Sequence, residues 1–129
     1  MKTRYTVALS MLAGAAIGAV SVGGLYAQGK APGAYAVFAL TDIGDPAAYK
    51  TNVVDRAVPL IKQHGGKIIV ATNDVTVFRE PALKRLVVIA FDSIPQAKGW
   101  YDSDDMKSTR AYFEQHSKGS GAVAEAASQ

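Results

Sequence analysis

Cysteine is missing from all 129 residues of the sequence. Without thiols the chain cannot form disulfides, iron–sulfur clusters, thiolate zinc sites or a cysteine nucleophile. Histidine is scarce as well, because His64 and His116 are the only two and neither has a second ligand at H-x-x-x-H or H-x-x-E spacing. No serine lies in a G-x-S-x-G motif. We therefore predict no metal site, no tightly bound cofactor and no hydrolase triad.

The sequence also has little excess charge of either sign. It has 14 basic and 11 acidic residues, and two of the basic ones, Lys2 and Arg4, belong to a segment that we expect to be removed. No stretch gathers several Lys or Arg, so we predict no nucleic-acid partner. With 49% hydrophobic and 19% charged residues, the composition is typical of one globular domain.

Residues 1–27 are predicted to be a signal peptide. Lys2 and Arg4 give it a positive start, and no charge follows from Tyr5 to Gln28. Cleavage is expected after Ala27, which would place the mature protein in the periplasm or outside the cell. The alternative is a retained membrane anchor formed by residues 5–27, since that stretch is long enough to span a bilayer. Only in that case would a membrane be a partner.

The rest of the chain is divided into a linker at 28–33, a domain at 34–126 and a tail at 127–129. Apolar runs and helical spacings predict, in order, a strand at 34–40, a helix from 46 to Gly65-Gly66, strands at 67–72 and 86–91, two helices beginning after Ser93 and Ser103, and a strand at 122–126. Residues 75–78 are interpreted as a short continuation of the second strand or a hairpin arm. This βαββαβ order predicts an α+β, ferredoxin-like domain with a four-stranded antiparallel sheet.

Local signals support the predicted helices. Asp45 is placed to cap the first helix, with Pro46 at the first helical position. Pro59 lies inside that helix and is expected to kink it. Ser93 and Gln96 have the spacing of a capping box at the start of the second helix.

Four short motifs occur in this order along the domain: Asp45-Pro46-x-x-Tyr49, His64-Gly65-Gly66-Lys67, Arg85-x-Val87-Val88-Ile89-x-Phe91 and Trp100-Tyr101-x-Ser103. Together they are similar to the bacterial family known as domain of unknown function 1330. That family resembles a branch of the dimeric α/β-barrel superfamily, which includes cofactor-free monooxygenases, muconolactone isomerases and haem-degrading enzymes. The resemblance implies a fold and a dimer, but no established activity.

Five residues are candidates for a site. His64, at the end of the first helix, is the candidate catalytic base, and its alternative role is to cap the last carbonyl groups. The candidate substrate-binding residues are Tyr49, Arg85, Trp100 and Tyr101. Arg85 could bind a carboxylate or phenolate with its guanidinium fork, or form a surface ion pair. The three aromatic side chains could line an apolar pocket or simply fill the interface between helices and sheet.

The apolar character of the strands predicts a homodimer through the sheet face. The helical segments can cover only one face of a four-stranded sheet, yet 86–91 carries six successive apolar residues. The second face would expose an apolar patch larger than monomers usually tolerate. We expect this face to pack on a second copy and to include Val87 or Val88.

Three functions remain open from the sequence. The domain could be a cofactor-free enzyme of the monooxygenase or isomerase type that acts on a small apolar or aromatic molecule. It could instead bind such a molecule without turnover, or serve as a structural dimer.

Overall fold

The computed structural model describes residues 31–128. The predicted signal segment, its cut after Ala27 and the alternative anchor lie outside these residues. The described elements are β1 (Ala34–Asp42), α1 (Pro46–Tyr49), a π-helical stretch (Lys50–Val54), α2 (Asp55–Gln63), β2 (Lys67–Thr72), β3 (Arg85–Phe91), α3 (Ile94–Tyr101), a 3₁₀ turn (Asp104–Met106), α4 (Lys107–His116) and β4 (Lys118–Glu125). Within residues 31–128, no helix has both the length and the apolar character needed to cross a bilayer.

The four strands form one antiparallel sheet in the order β2-β3-β1-β4. The two central strands, β1 and β3, are the strongest apolar runs of the sequence, and a central position buries both their edges. The βαββαβ order with this strand arrangement confirms the predicted α+β architecture of the ferredoxin-like type.

The first helical region begins as the sequence predicts. The Asp45 side chain accepts a hydrogen bond from the Ala48 amide at 2.9 Å, and Pro46 occupies the first turn. Pro59 lies inside α2, but the departure from α geometry is the π-helical stretch over Lys50–Val54, one turn before the proline. Gly65 ends the region with φ of +82°, in the left-handed conformation that glycine adopts most readily.

The second helical region begins with the predicted cap, but the connection between its two helices differs from the prediction. The Gln96 amide donates to the Ser93 hydroxyl at 3.1 Å, and the Gln96 side chain accepts from the Asp92 amide at 2.7 Å. Ser103, however, donates its hydroxyl back to the Trp100 carbonyl and makes no side-chain cap. A 3₁₀ turn follows Ser103, and α4 begins at Lys107 instead of directly after Ser103 as predicted.

Two strand predictions are corrected. Residues 75–78 form no strand, because they lie in the loop between β2 and β3 and pair with no ladder; Phe78 there is fully exposed. The last strand is Lys118–Glu125, longer than the predicted 122–126. Its first residues, rich in glycine and serine, are held by pairing with β1, which no local pattern could indicate.

One face of the sheet packs against the helices. The core there contains buried residues from both sheet and helices: Ala36, Ile89, Phe91, Ala57, Ile61, Ala97, Trp100 and Met106. Phe91 is the largest fully buried side chain, and its ring stacks on Trp100 with centroids 5.7 Å apart. Val87 also packs against this core.

The other face of the sheet has no element of residues 31–128 packed over it. Because side chains alternate along a strand, Val88 and Val37 point to this face, opposite the core residues Ile89 and Ala36. The register places a row across all four strands, formed by Val70, Val88, Val37 and Ala122. We refer to this side of the sheet as the open face.

Candidate ligand-binding site

A cavity of about 100 Å³ lies between the helices and the covered face of the sheet. Most of its wall is apolar. The residues that contribute polar groups are Tyr49, Arg85, Trp100, Tyr101, Thr109 and Arg110. All four predicted substrate-binding residues are therefore brought together in one wall, although they come from α1, β3 and α3.

Arg85 and Tyr49 form one polar corner of this cavity. Arg85 opens β3, and its guanidinium carbon lies 5.5 Å from the centre of the Tyr49 ring. Its Nη1 donates to the Asn73 side-chain oxygen at 2.9 Å, while its buried Nε has no partner among the described residues. Burial raises the pKa of the Tyr49 hydroxyl, and the charge of Arg85 opposes that shift. Tyr49 therefore remains a neutral phenol at physiological pH.

Trp100 and Tyr101 stand next to each other at the end of α3. Trp100 is 3% exposed, and its Nε1 is the second buried nitrogen with no partner among the described residues. The Tyr101 hydroxyl donates to Glu114 at 2.8 Å. Burial, followed by the bond to Glu114, raises the pKa of Tyr101 well above its usual value, so this phenol also stays protonated.

Sequence reasoning missed Thr109 and Arg110 as wall residues. Arg110 donates to the backbone carbonyl of Tyr101, and its guanidinium carbon lies 5.8 Å from the Tyr101 ring centre. Thr109 is 3% exposed. The signal that could have found Arg110 is its position four residues after Met106 and three before Phe113, a spacing that places the three on one side of a helical segment.

His64 lies apart from this wall. It is the residue that ends α2, its amide donates to the Leu60 carbonyl at 3.0 Å, and it is not among the residues that line the cavity. This position is a helix C-terminus, where an imidazole can complement the helix dipole. Its catalytic role thus remains a prediction, at a position outside the cavity wall.

A second, wider groove of about 510 Å³ lies between the α3–α4 region and the outer strand β4. The cavity and this groove share several wall residues, among them Phe38, Trp100 and Tyr101. The Phe38 ring lies over Gly121, since a Cβ on that glycine would stand 2.8 Å from the ring. Glycine at this position in β4 allows Phe38 to form part of the partition between cavity and groove.

Within the part of the chain that the structure describes, no three His, Asp or Glu side chains lie together in a way that could hold a metal ion. The cavity can therefore offer a ligand hydrogen-bonding side chains around an apolar space.

Strand order, covered face and cavity define a small α+β protein of the ferredoxin-like class. The family described as Domain of unknown function (DUF1330) matches residues 33–127. The chain therefore belongs to the DUF1330 family, as its ordered motifs predicted. No curated protein sequence matches this chain.

Solved structures of similar fold include the RPA0582 protein of unknown function from Rhodopseudomonas palustris. It is 10% identical, the match covers 85% of this chain and 93% of that one, and the TM-score is 0.53. A methylated form of RPA0582 matches at 9% identity over 87% and 94% of the two chains, with a TM-score of 0.57. At these identities the likeness concerns the fold alone. An EthD-like protein from Ralstonia eutropha matches at 14% identity over 74% and 93%, with a TM-score of 0.41.

Proposed function

We propose that this protein binds a small, largely apolar molecule in the cavity between its helices and its sheet. The observation that carries the proposal is the wall itself, which combines an apolar lining with two buried nitrogen donors, on Arg85 and Trp100, that have no partner among the described residues. Apolar cavities with a few convergent polar groups are the usual form of small-molecule sites.

Turnover of the bound molecule, of the cofactor-free monooxygenase or isomerase type, is the second candidate. What favours it is that Tyr49, whose hydroxyl stays protonated because burial raises its pKa, lines the same cavity and could donate a hydrogen bond to an oxygen of the bound molecule. The proton acceptor proposed from the sequence, His64, does not line that cavity. Binding needs only the wall, and for that reason it is the function the geometry supports best.

Assembly as a homodimer through the open face is part of the proposal. The row of apolar side chains from Val70 to Ala122 crosses the whole sheet, and it would be buried by a second sheet about a two-fold axis. Each copy would then keep its own cavity on the helix side.

Ligand binding can be read out directly, because Trp100 is the only tryptophan and lines the cavity. We expect toluene and similar single-ring compounds to change its fluorescence in a saturable way. Ala71→Phe should abolish that change, since Ala71 is an exposed wall residue where a larger side chain can fill the cavity without displacing the core.

Ala111→Phe is the matched control. Ala111 is exposed on α4 and lines neither the cavity nor the wider groove, so the same substitution there should leave the titration unchanged. A fluorescence change that fails to saturate in the wild type, or that persists undiminished in Ala71→Phe, would count against this site.

Export completes the proposal. The charge-free stretch after Arg4 supports cleavage of a signal peptide after Ala27, and N-terminal sequencing of the exported protein should begin at Gln28. Recovery of the protein from the membrane fraction with residues 5–27 intact would favour the anchor instead.

A further inference from the structure

Half of the polar side chains that line the cavity can only donate hydrogen bonds. These are the guanidinium groups of Arg85 and Arg110 and the indole of Trp100, whereas the hydroxyls of Tyr49, Tyr101 and Thr109 can donate or accept. Among the residues lining the cavity there is no aspartate, glutamate or histidine. The lining residues therefore carry positive charge and no negative charge.

The two arginines differ in how well their donors are used. Arg110 donates to the backbone carbonyl of Tyr101 and reaches that of Ser103 at 3.4 Å. Arg85 donates from Nη1 to Asn73 and shares a side-chain hydrogen bond with Tyr49, but it makes no ion pair with a carboxylate of residues 31–128. Its buried Nε is left to find an acceptor. Buried donors are nearly always paired, so an unpaired one points to an absent partner.

We propose that the cavity takes a single-ring aromatic carboxylate, with its carboxylate on the free side of the Arg85 guanidinium and its ring against Trp100 and the apolar wall. This inference rests on the proposed function and specifies its ligand. A carboxylate matches the guanidinium fork with two parallel hydrogen bonds, which an ammonium-bearing or purely apolar ligand cannot make. The ligand would also supply the negatively charged partner that Arg85 does not have among residues 31–128.

The size of the cavity fits this class. One water needs roughly 10–15 Å³ of a volume measured with a water-sized probe, so 100 Å³ leaves room for one substituted ring and little more. Phe38, whose ring lies 6.1 Å from that of Trp100 in an edge-on arrangement, offers an aromatic wall to such a ring.

The test compares benzoate with benzamide, which has nearly the same shape and no charge, by titration of Trp100 fluorescence at neutral pH. We expect benzoate to bind the wild-type protein at least tenfold more tightly than benzamide. Arg85→Met keeps an apolar side chain of similar length and should remove that preference. Arg85→Lys keeps the charge without the fork and should give an intermediate preference. Arg56→Met is the matched control, because Arg56 is exposed and lines neither the cavity nor the wider groove.

The outcomes separate this inference from the proposed function. Equal binding of both compounds by the wild type would overturn the carboxylate preference while leaving a general apolar site intact. A preference that survives Arg85→Met would show that the carboxylate is recognised elsewhere and would overturn the role of Arg85. If toluene binds and neither compound does, the inference fails alone; if no single-ring compound binds, the proposed function fails with it. The comparison in the wild type stands even if an Arg85 variant does not fold.

Discussion

Replacing Val88 by aspartate should convert the proposed dimer to a monomer, or leave the protein unable to fold. Val88 lies in the middle of the row on the open face, between Val70 and Val37 on the neighbouring strands. A carboxylate there would be buried without a partner in the dimer, at a cost of several kcal/mol. Sedimentation velocity of the mature chain at micromolar concentration measures the change directly.

Gly99→Asp is the control for this result. Gly99 is exposed on α3, and a side chain added there would meet nothing within 4 Å, so the new charge should leave the sedimentation coefficient unchanged. A wild-type mature chain that sediments as a stable monomer would overturn the dimer outright. A Val88→Asp variant that still sediments as a dimer would instead overturn the open face as the interface.

The second large effect is expected for Phe91→Ala. Phe91 is 1% exposed at the centre of the core and stacks on Trp100, so its truncation should lower the free energy of unfolding by about 3–5 kcal/mol. The chain offers the same substitution without burial: Phe78 is 102% exposed, and Phe78→Ala should change the free energy of unfolding by less than about 0.5 kcal/mol.

Urea unfolding of both variants measures this difference, provided that all samples have the same protein concentration, because the proposed dimerisation would contribute to apparent stability. Similar losses for the two phenylalanines would contradict the packing described for β3. A large loss for Phe78→Ala alone would mean that the loop after β2 is covered in the assembled protein.

The sequence predicted those parts of the fold whose signals are local. Asp45 and Ser93 accept the capping hydrogen bonds expected of them, and β2 has the predicted bounds. The bounds of β4 could not be predicted, because its first half is set by pairing with β1 and its residues have no strand pattern of their own. Residues 75–78 have such a pattern but no neighbouring strand to pair with.

The candidate site could likewise be predicted only in part. Side-chain chemistry made four residues candidates for substrate binding, and the fold brings all four to one wall: Tyr49, Arg85, Trp100 and Tyr101. His64 was chosen for the same reason, but its place at the end of α2 is fixed by the two glycines after it and lies away from the cavity. Chemistry alone does not show which end of a helix faces a cavity; the packing of α2 on the sheet decides that.

The π-helical stretch at Lys50–Val54 decides how the orientation of α2 would respond to the loss or gain of a residue. Such a stretch contains one residue more than an α-helical path would use. The wide turn absorbs that residue, so the helical segments on either side keep the faces that a continuous α-helix would give them. Without such a turn, one extra residue would rotate the helix that follows it by about 100° and would carry Ala57 and Ile61, now buried against the sheet, toward water. Deleting one residue from Lys50–Val54 should therefore close the stretch to α geometry and leave both side chains facing the sheet.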